Sequence, residues 1–193
     1  EPQNRLIRID LAVGGKTGDP QIAVLAWGSD FYASPCLSPD GSQLAWLSWN
    51  HPDMPWDGTE LWIGKMGQDG ALRETEKVAG GRDESIFQPQ WSPDGTLFFV
   101  SDRTGWLNLY RRRENEIKPV VQMEAEFGMP QWLFGMSTYA FESAQRLICT
   151  YTQNGRWQLA EIDVATGQLD VIKTPYNGIA YLQTSLGRSV FVG

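Results

Sequence analysis

The chain alternates short apolar, aromatic and β-branched runs with clusters of Gly, Pro, Asp and Ser. Nowhere does a helical period persist for more than about two turns. Runs such as Leu97-Phe98-Phe99-Val100 and Leu159-Ala160-Glu161-Ile162 are bounded by turn residues. Closely spaced strands of this kind predict an all-β protein.

Internal repetition narrows the architecture. Ser34-Pro35-Cys36-Leu37-Ser38-Pro39-Asp40-Gly41 followed by Leu44-Ala45-Trp46 parallels Gln88-Pro89-Gln90-Trp91-Ser92-Pro93-Asp94-Gly95 followed by Leu97-Phe98-Phe99. A third copy is expected to begin at Pro130-Gln131-Trp132 and to run through Ser137-Thr138-Tyr139-Ala140-Phe141. Its turn is eroded to Leu133-Phe134-Gly135-Met136. The copies start at positions 35, 89 and 130, spacings of 54 and 41 residues. The shorter is close to the roughly 40–50 residues of a four-stranded propeller blade. Ser-Pro-Asp-Gly is turn chemistry: Pro presets φ, Asp bonds the backbone just after it, and Gly accepts φ > 0. Two further strands follow each hairpin, among them Glu60-Leu61-Trp62-Ile63, Leu107-Asn108-Leu109-Tyr110-Arg111 and Gln168-Leu169-Asp170-Val171-Ile172.

The expected fold is therefore an all-β, TolB- or WD40-like β-propeller forming one domain over 1–193. Full blades are placed at about 31–82, 83–126 and 127–175, with partial blades at 1–30 and 176–193. Arg5-Leu6-Ile7-Arg8-Ile9-Asp10-Leu11 reads as outer strand of an earlier blade, and the last hairpin turns at Ser185-Leu186-Gly187-Arg188. A propeller that starts and stops mid-blade reads as a fragment, whose unpaired edges favour dimer formation or pairing between its two ends. Gly14-Gly15-Lys16-Thr17-Gly18 lacks P-loop spacing and reads as a hairpin turn, and Gly80-Gly81 as a loop hinge.

Composition changes this picture little. The 193 residues carry 16 basic and 23 acidic side chains, a net charge of −7, which argues against a nucleic-acid partner. No apolar run approaches the ~20 residues of a membrane-spanning helix, so no membrane partner is expected. The chain opens Glu1-Pro2-Gln3-Asn4, with neither initiator Met nor a leader pattern, so an upstream segment is expected to have been removed. Cys36 and Cys149 lie in strand-like runs and read as buried free thiols. With no Asn-x-Ser/Thr sequon, they predict a cytoplasmic protein.

Three segments carry a family likeness. They are Leu44-Ala45-Trp46-Leu47-Ser48-Trp49-Asn50-His51-Pro52-Asp53-Met54-Pro55-Trp56-Asp57, Asp83-Glu84-Ser85-Ile86-Phe87-Gln88-Pro89-Gln90-Trp91-Ser92-Pro93-Asp94-Gly95, and Val100-Ser101-Asp102-Arg103-Thr104-Gly105-Trp106-Leu107-Asn108-Leu109-Tyr110. Together they resemble the β-propeller of prolyl oligopeptidase family serine peptidases, closest to the dipeptidyl-aminopeptidase and acylaminoacyl-peptidase branch. The His-Pro-Asp-Met-Pro-Trp-Asp loop is the specific part, since Ser-Pro-Asp-Gly hairpins occur in many propellers. The likeness runs over roughly 30–176. It implies a two-part enzyme, in which a C-terminal α/β-hydrolase domain of the same parent chain carries a Ser-Asp-His triad. The propeller covers that domain and admits only peptides; this chain holds the propeller side.

The residues themselves offer no catalytic set. No Gly-x-Ser-x-Gly elbow occurs, and His51 is the only histidine. No catalytic residue, metal site or cofactor is therefore assigned. Asp53, Asp57, Gly58 and Glu60 miss calcium-loop spacing and read as an acidic turn. In a four-stranded blade, the loop after the second strand and the loop into the next blade open on one side. That places 51–59, 80–85 and 102–107 on one face and the Ser-Pro-Asp-Gly turns on the other. His51, Asp57, Glu84, Arg103 and Trp106 are the candidates for contact with the catalytic domain or a peptide substrate. Glu84 would attract a free amino group and Arg103 a carboxylate or carbonyl. The internal alternative has Asp102 and Arg103 stabilising their own turn while Trp56 and Trp106 fill gaps between blades. The expected function is gating and selecting peptides for a serine-type oligo- or aminopeptidase. The other class is a stand-alone TolB-like or WD-like protein-interaction propeller.

Overall fold

A computed structural model describes residues 3–10 and 21–193; the Gly14–Gly18 turn lies outside them. All regular structure among the described residues is β, in antiparallel sheets. A two-stranded sheet, β1 (Leu6–Asp10) and β2 (Gln21–Ala26), comes first. Three four-stranded sheets follow in chain order. They are β3 (Phe31–Leu37), β4 (Gln43–Trp49), β5 (Thr59–Met66) and β6 (Leu72–Gly81); β7 (Ile86–Trp91), β8 (Leu97–Ser101), β9 (Asn108–Arg113) and β10 (Glu116–Pro119); and β11 (Tyr139–Phe141), β12 (Arg146–Gln153), β13 (Arg156–Asp163) and β14 (Leu169–Ile172). A final pair, β15 (Ala180–Ser185) and β16 (Arg188–Val192), completes the described fold. Each four-stranded sheet keeps its strands in sequence order, the meander of a propeller blade. The terminal pairs remain separate two-stranded sheets, so the described residues form an open arc.

The expected turn chemistry is present in the first two blades. Asp40 accepts bonds from the Ser38 and Ser42 hydroxyls and the Ser42 amide, and Gly41 closes the turn at φ 71°. Asp94 does the same for Ser92 and Thr96. The innermost strands β3 and β7 share a bulge, between Ala33 and Cys36 and between Phe87 and Gln90. Ser34 and Gln88, each ahead of a Pro, take φ of 50° and 47° there.

The third blade corrects the expected register. Residues 130–138 form no strand; the inner strand is Tyr139–Phe141, and the hairpin turns through 142–145 into β12. Glu142-Ser143-Ala144-Gln145 stands where the other blades carry Ser-Pro-Asp-Gly, and the Ser143 hydroxyl accepts the Arg146 amide bond. Without Pro, Asp or Gly this turn has no sequence signature, whereas Pro130-Gln131-Trp132 copies Pro89-Gln90-Trp91 by composition alone.

Period-two alternation sends each strand into two cores. Along β4, Ala45 and Leu47 join Leu61, Ile86, Leu97, Phe99 and Tyr110 between the first and second blades. Leu44 and Trp46 face the other way, onto Leu6. Along β8, Phe98 and Val100 turn instead to Phe127, Leu147, Cys149 and Ile162 between the second and third blades. Full burial of each such side chain is worth roughly 1.5–3 kcal/mol. The seams also carry directional bonds. Gln88 Nε2 donates to the Tyr139 carbonyl at 2.7 Å, Tyr139 Oη to the Gln88 carbonyl at 2.7 Å, and Trp91 Nε1 to the Cys36 carbonyl at 3.1 Å. Cys149 is buried and Cys36 half-buried, both free thiols. Burial pushes the Cys36 thiol up to about 12.

Candidate functional site: the loop face

The connections β4–β5, β6–β7, β8–β9 and β10–β11 meet on one side of the arc. Thr59 donates its amide to the Glu84 carbonyl, Asp102 to the Ser85 carbonyl, and Phe127 to the Leu107 carbonyl. Ser85 Oγ donates to the Pro55 carbonyl at 3.2 Å. Gly80 makes the tightest of these joins possible: it sits at φ 91°, and a Cβ there would collide with the Thr59 carbonyl oxygen.

Two of the candidate residues meet each other. Glu84 Oε1 accepts from Arg103 Nε at 2.9 Å and Nη2 at 2.8 Å and from Ser101 Oγ at 2.6 Å, while Oε2 accepts the Gly80 amide at 3.0 Å. The Arg103 guanidinium lies 5.3 Å from the Tyr110 ring centroid and 5.9 Å from that of Phe99. With two N–H donors on one carboxylate oxygen and its charge within cation–π range of both rings, it ties the β6–β7 crossover to the β8–β9 loop. Asp102 beside it accepts the Ser85 amide at 2.8 Å. Burial, then the nearby Glu84 charge, raises the Asp102 carboxyl above its ordinary value.

His51, Asp57 and Trp106 are open to solvent. His51 Nδ1 stands 3.2 Å from Asp30 Oδ2, which also accepts the His51 amide at 2.9 Å. That backbone bond is the main cause of a lowered Asp30 pKa. Asp57 Oδ2 accepts the Met54 amide at 3.0 Å and so holds its own turn. Among the described residues no Ser, Thr or Cys bonds the His51 ring. A cleft of about 230 Å³ beside it is lined by Asn50, Asp53, Glu60 and Arg82. Glu60 is already engaged by Lys77 and by the Trp62 indole N–H. A second cleft, about 270 Å³, lies between Trp106 and Gln122, Met123 and Glu124. Both are small beside the 300–1,000 Å³ of small-molecule sites.

Sequence reasoning misses the 130–136 loop. Trp132 packs on Trp56 at 4.2 Å between ring centroids, and Trp132, Leu133 and Phe134 are 70%, 62% and 74% exposed. Three large apolar residues before a Gly were the available signal, hidden by the false match to the Pro89-Gln90-Trp91 strand.

The model of the lipoprotein LpqB β-propeller domain matches residues 15–129. The chain belongs to this β-propeller family. Among solved structures, the LpqB-family propeller is similar to puromycin hydrolase, a prolyl oligopeptidase family peptidase, at 35% identity and TM-score 0.83. That match covers 88% of this chain and 26% of the other. A puromycin-hydrolyzing peptidase from Mycobacterium tuberculosis is 36% identical, TM-score 0.77, over 83% of this chain and 25% of that one. The propeller thus spans about a quarter of these peptidases, and it is homologous to their propeller part. TolB from Acinetobacter baumannii, at 16% identity and TM-score 0.56 over 89% of this chain and 42% of that one, shares the fold. No curated protein sequence matches significantly. No helix of the described residues is long and apolar enough to cross a membrane.

Proposed function

We propose that this propeller is the non-catalytic part of a serine-type oligo- or aminopeptidase, gating and selecting peptides for an α/β-hydrolase domain of the same parent chain. The observation that carries the reading is the 35–36% identity to two puromycin-hydrolysing enzymes across most of this chain. The dipeptidyl-aminopeptidase and acylaminoacyl-peptidase likeness of the His51–Asp57 loop supports the finer assignment. On this reading His51, Asp57 and Trp106 face the hydrolase or its peptide, while Glu84 and Arg103 act as a neutral pair that fixes the loops presenting them. The free thiols and the lack of a sequon support a cytoplasmic setting. By itself, the 193-residue chain would pair its open ends with those of a second copy.

The test uses the full natural chain and one short sequence offered twice, as a free peptide and within a folded protein. Cleavage of the peptide alone is expected; equal cleavage of both would overturn gating. No cleavage of either would favour the other class, a TolB-like or WD-like interaction propeller, and partner capture on the His51–Asp57 face would follow.

A further inference from the structure

The large aromatic residues exposed outside strands share one location. Trp27, Trp106, Trp132, Phe134 and Tyr176 all lie in connections that open on the loop face. Among the described residues the opposite face is built of short turns closed by Asp40, Asp94 and Asp163, and there it exposes Leu37 and Leu186 as its large apolar side chains. Within the loop face the 130–136 segment is the most apolar. Its position is fixed: Trp132 packs at a tilt against Trp56, whose loop is held by the Asp57 turn and by Ser85 bonding to Pro55. At its base the Gln131 side-chain oxygen is buried without a donor. A segment that presents Trp, Leu and Phe to water gains from a covering surface.

We propose that Trp132, Leu133 and Phe134, backed by Trp56, form the apolar anchor on which the catalytic part of the parent enzyme seats. This inference rests on the peptidase reading and specifies where its two parts touch. The occupant follows from length and area. In the similar peptidases about three quarters of the chain lies outside the matched region, enough for a large domain to cover this face. Three such side chains expose on the order of 400 Å² of apolar surface. That is about half of one side of a standard interface, and the exposed Met54 in the Trp56 loop extends it. The fully desolvated centre of an interface favours Trp and other aromatics in this way.

Hydrogen exchange measured on the full natural chain and on the 193-residue chain tests the anchor. Amides of 132–136 should exchange at least tenfold more slowly in the full chain. Phe134→Ser should abolish that protection and expose the interdomain connection to limited proteolysis, while leaving the thermal midpoint of the 193-residue chain unchanged. Phe134 is the better probe because Trp132 also holds Trp56. If 50–58 and 102–107 become protected while 132–136 does not, the anchor is wrong and the face assignment stands. If no loop of this face is protected, or the full chain carries no catalytic domain, the peptidase reading falls and takes the anchor with it.

Discussion

Glu84 accepts bonds from Gly80, Ser101 and two guanidinium nitrogens of Arg103, so its charge is engaged inside the protein. At 18% and 28% side-chain exposure, this pair is screened less than a surface ion pair. Glu84→Gln keeps one acceptor oxygen but turns an amide N–H₂ toward donors. We expect a loss of ~1–3 kcal/mol in stability, read as a lower urea midpoint with unchanged slope. An unchanged midpoint would show that the pair holds nothing. That Glu84 and Arg103 lie near the loop face is readable from repeat position; that they meet each other is not. The contact joins two loops seventeen residues and more apart in the chain, and no local pattern encodes it. His51 and Trp106, which have weaker internal ties, keep the exposure that their loops predict.

At the level of elements, legibility follows turn chemistry. The β3–β4 and β7–β8 hairpins are visible because Pro, Asp and Gly must occupy particular backbone positions. The β11–β12 hairpin is not, because Ser143 and backbone bonds close it without any of the three. Asp40 makes the contribution of these turns measurable. Bonds from the Ser38 hydroxyl, then the Ser42 amide and hydroxyl, lower its carboxyl from 3.8 to about 2. A depressed folded-state pKa stabilises the protein above the unfolded value, and that stabilisation is lost as pH falls toward the folded one. Asp40→Asn should therefore lower the melting temperature at pH 7, and the gap to the parent protein should close between about pH 4 and pH 2. A gap that persists unchanged at pH 2 would assign the effect to side-chain shape instead of charge.

Across the whole molecule, the terminal two-stranded sheets leave apolar faces bare. Ile7, Ile9, Ile22 and Val24 line one of them and Val190 and Val192 the other, all between 41% and 66% exposed. The opposite faces of the same sheets are packed, Leu6 against Trp46 and Leu182 against Ile148. The 193-residue chain should self-associate with rising concentration in sedimentation equilibrium, and Ile22→Lys with Val190→Lys should return it to a monomer. An unsubstituted 193-residue chain that stays monomeric throughout would mean that the bare faces do not recognise one another. The arc itself is legible from strand spacing and repeated hairpins. Its openness is settled only by which strands pair.

Because the apolar residues collect between blades, the unit that a gene duplication copies differs from the unit that holds together. Duplication copies a sheet with two half-cores on its faces; cohesion belongs to the pair of half-cores that meet at a seam. The two are out of phase by half a repeat. A single blade excised along its sequence boundaries would carry both of its half-cores into water, and because the two alternate residue by residue along each strand, no cut of the chain parts one from the other.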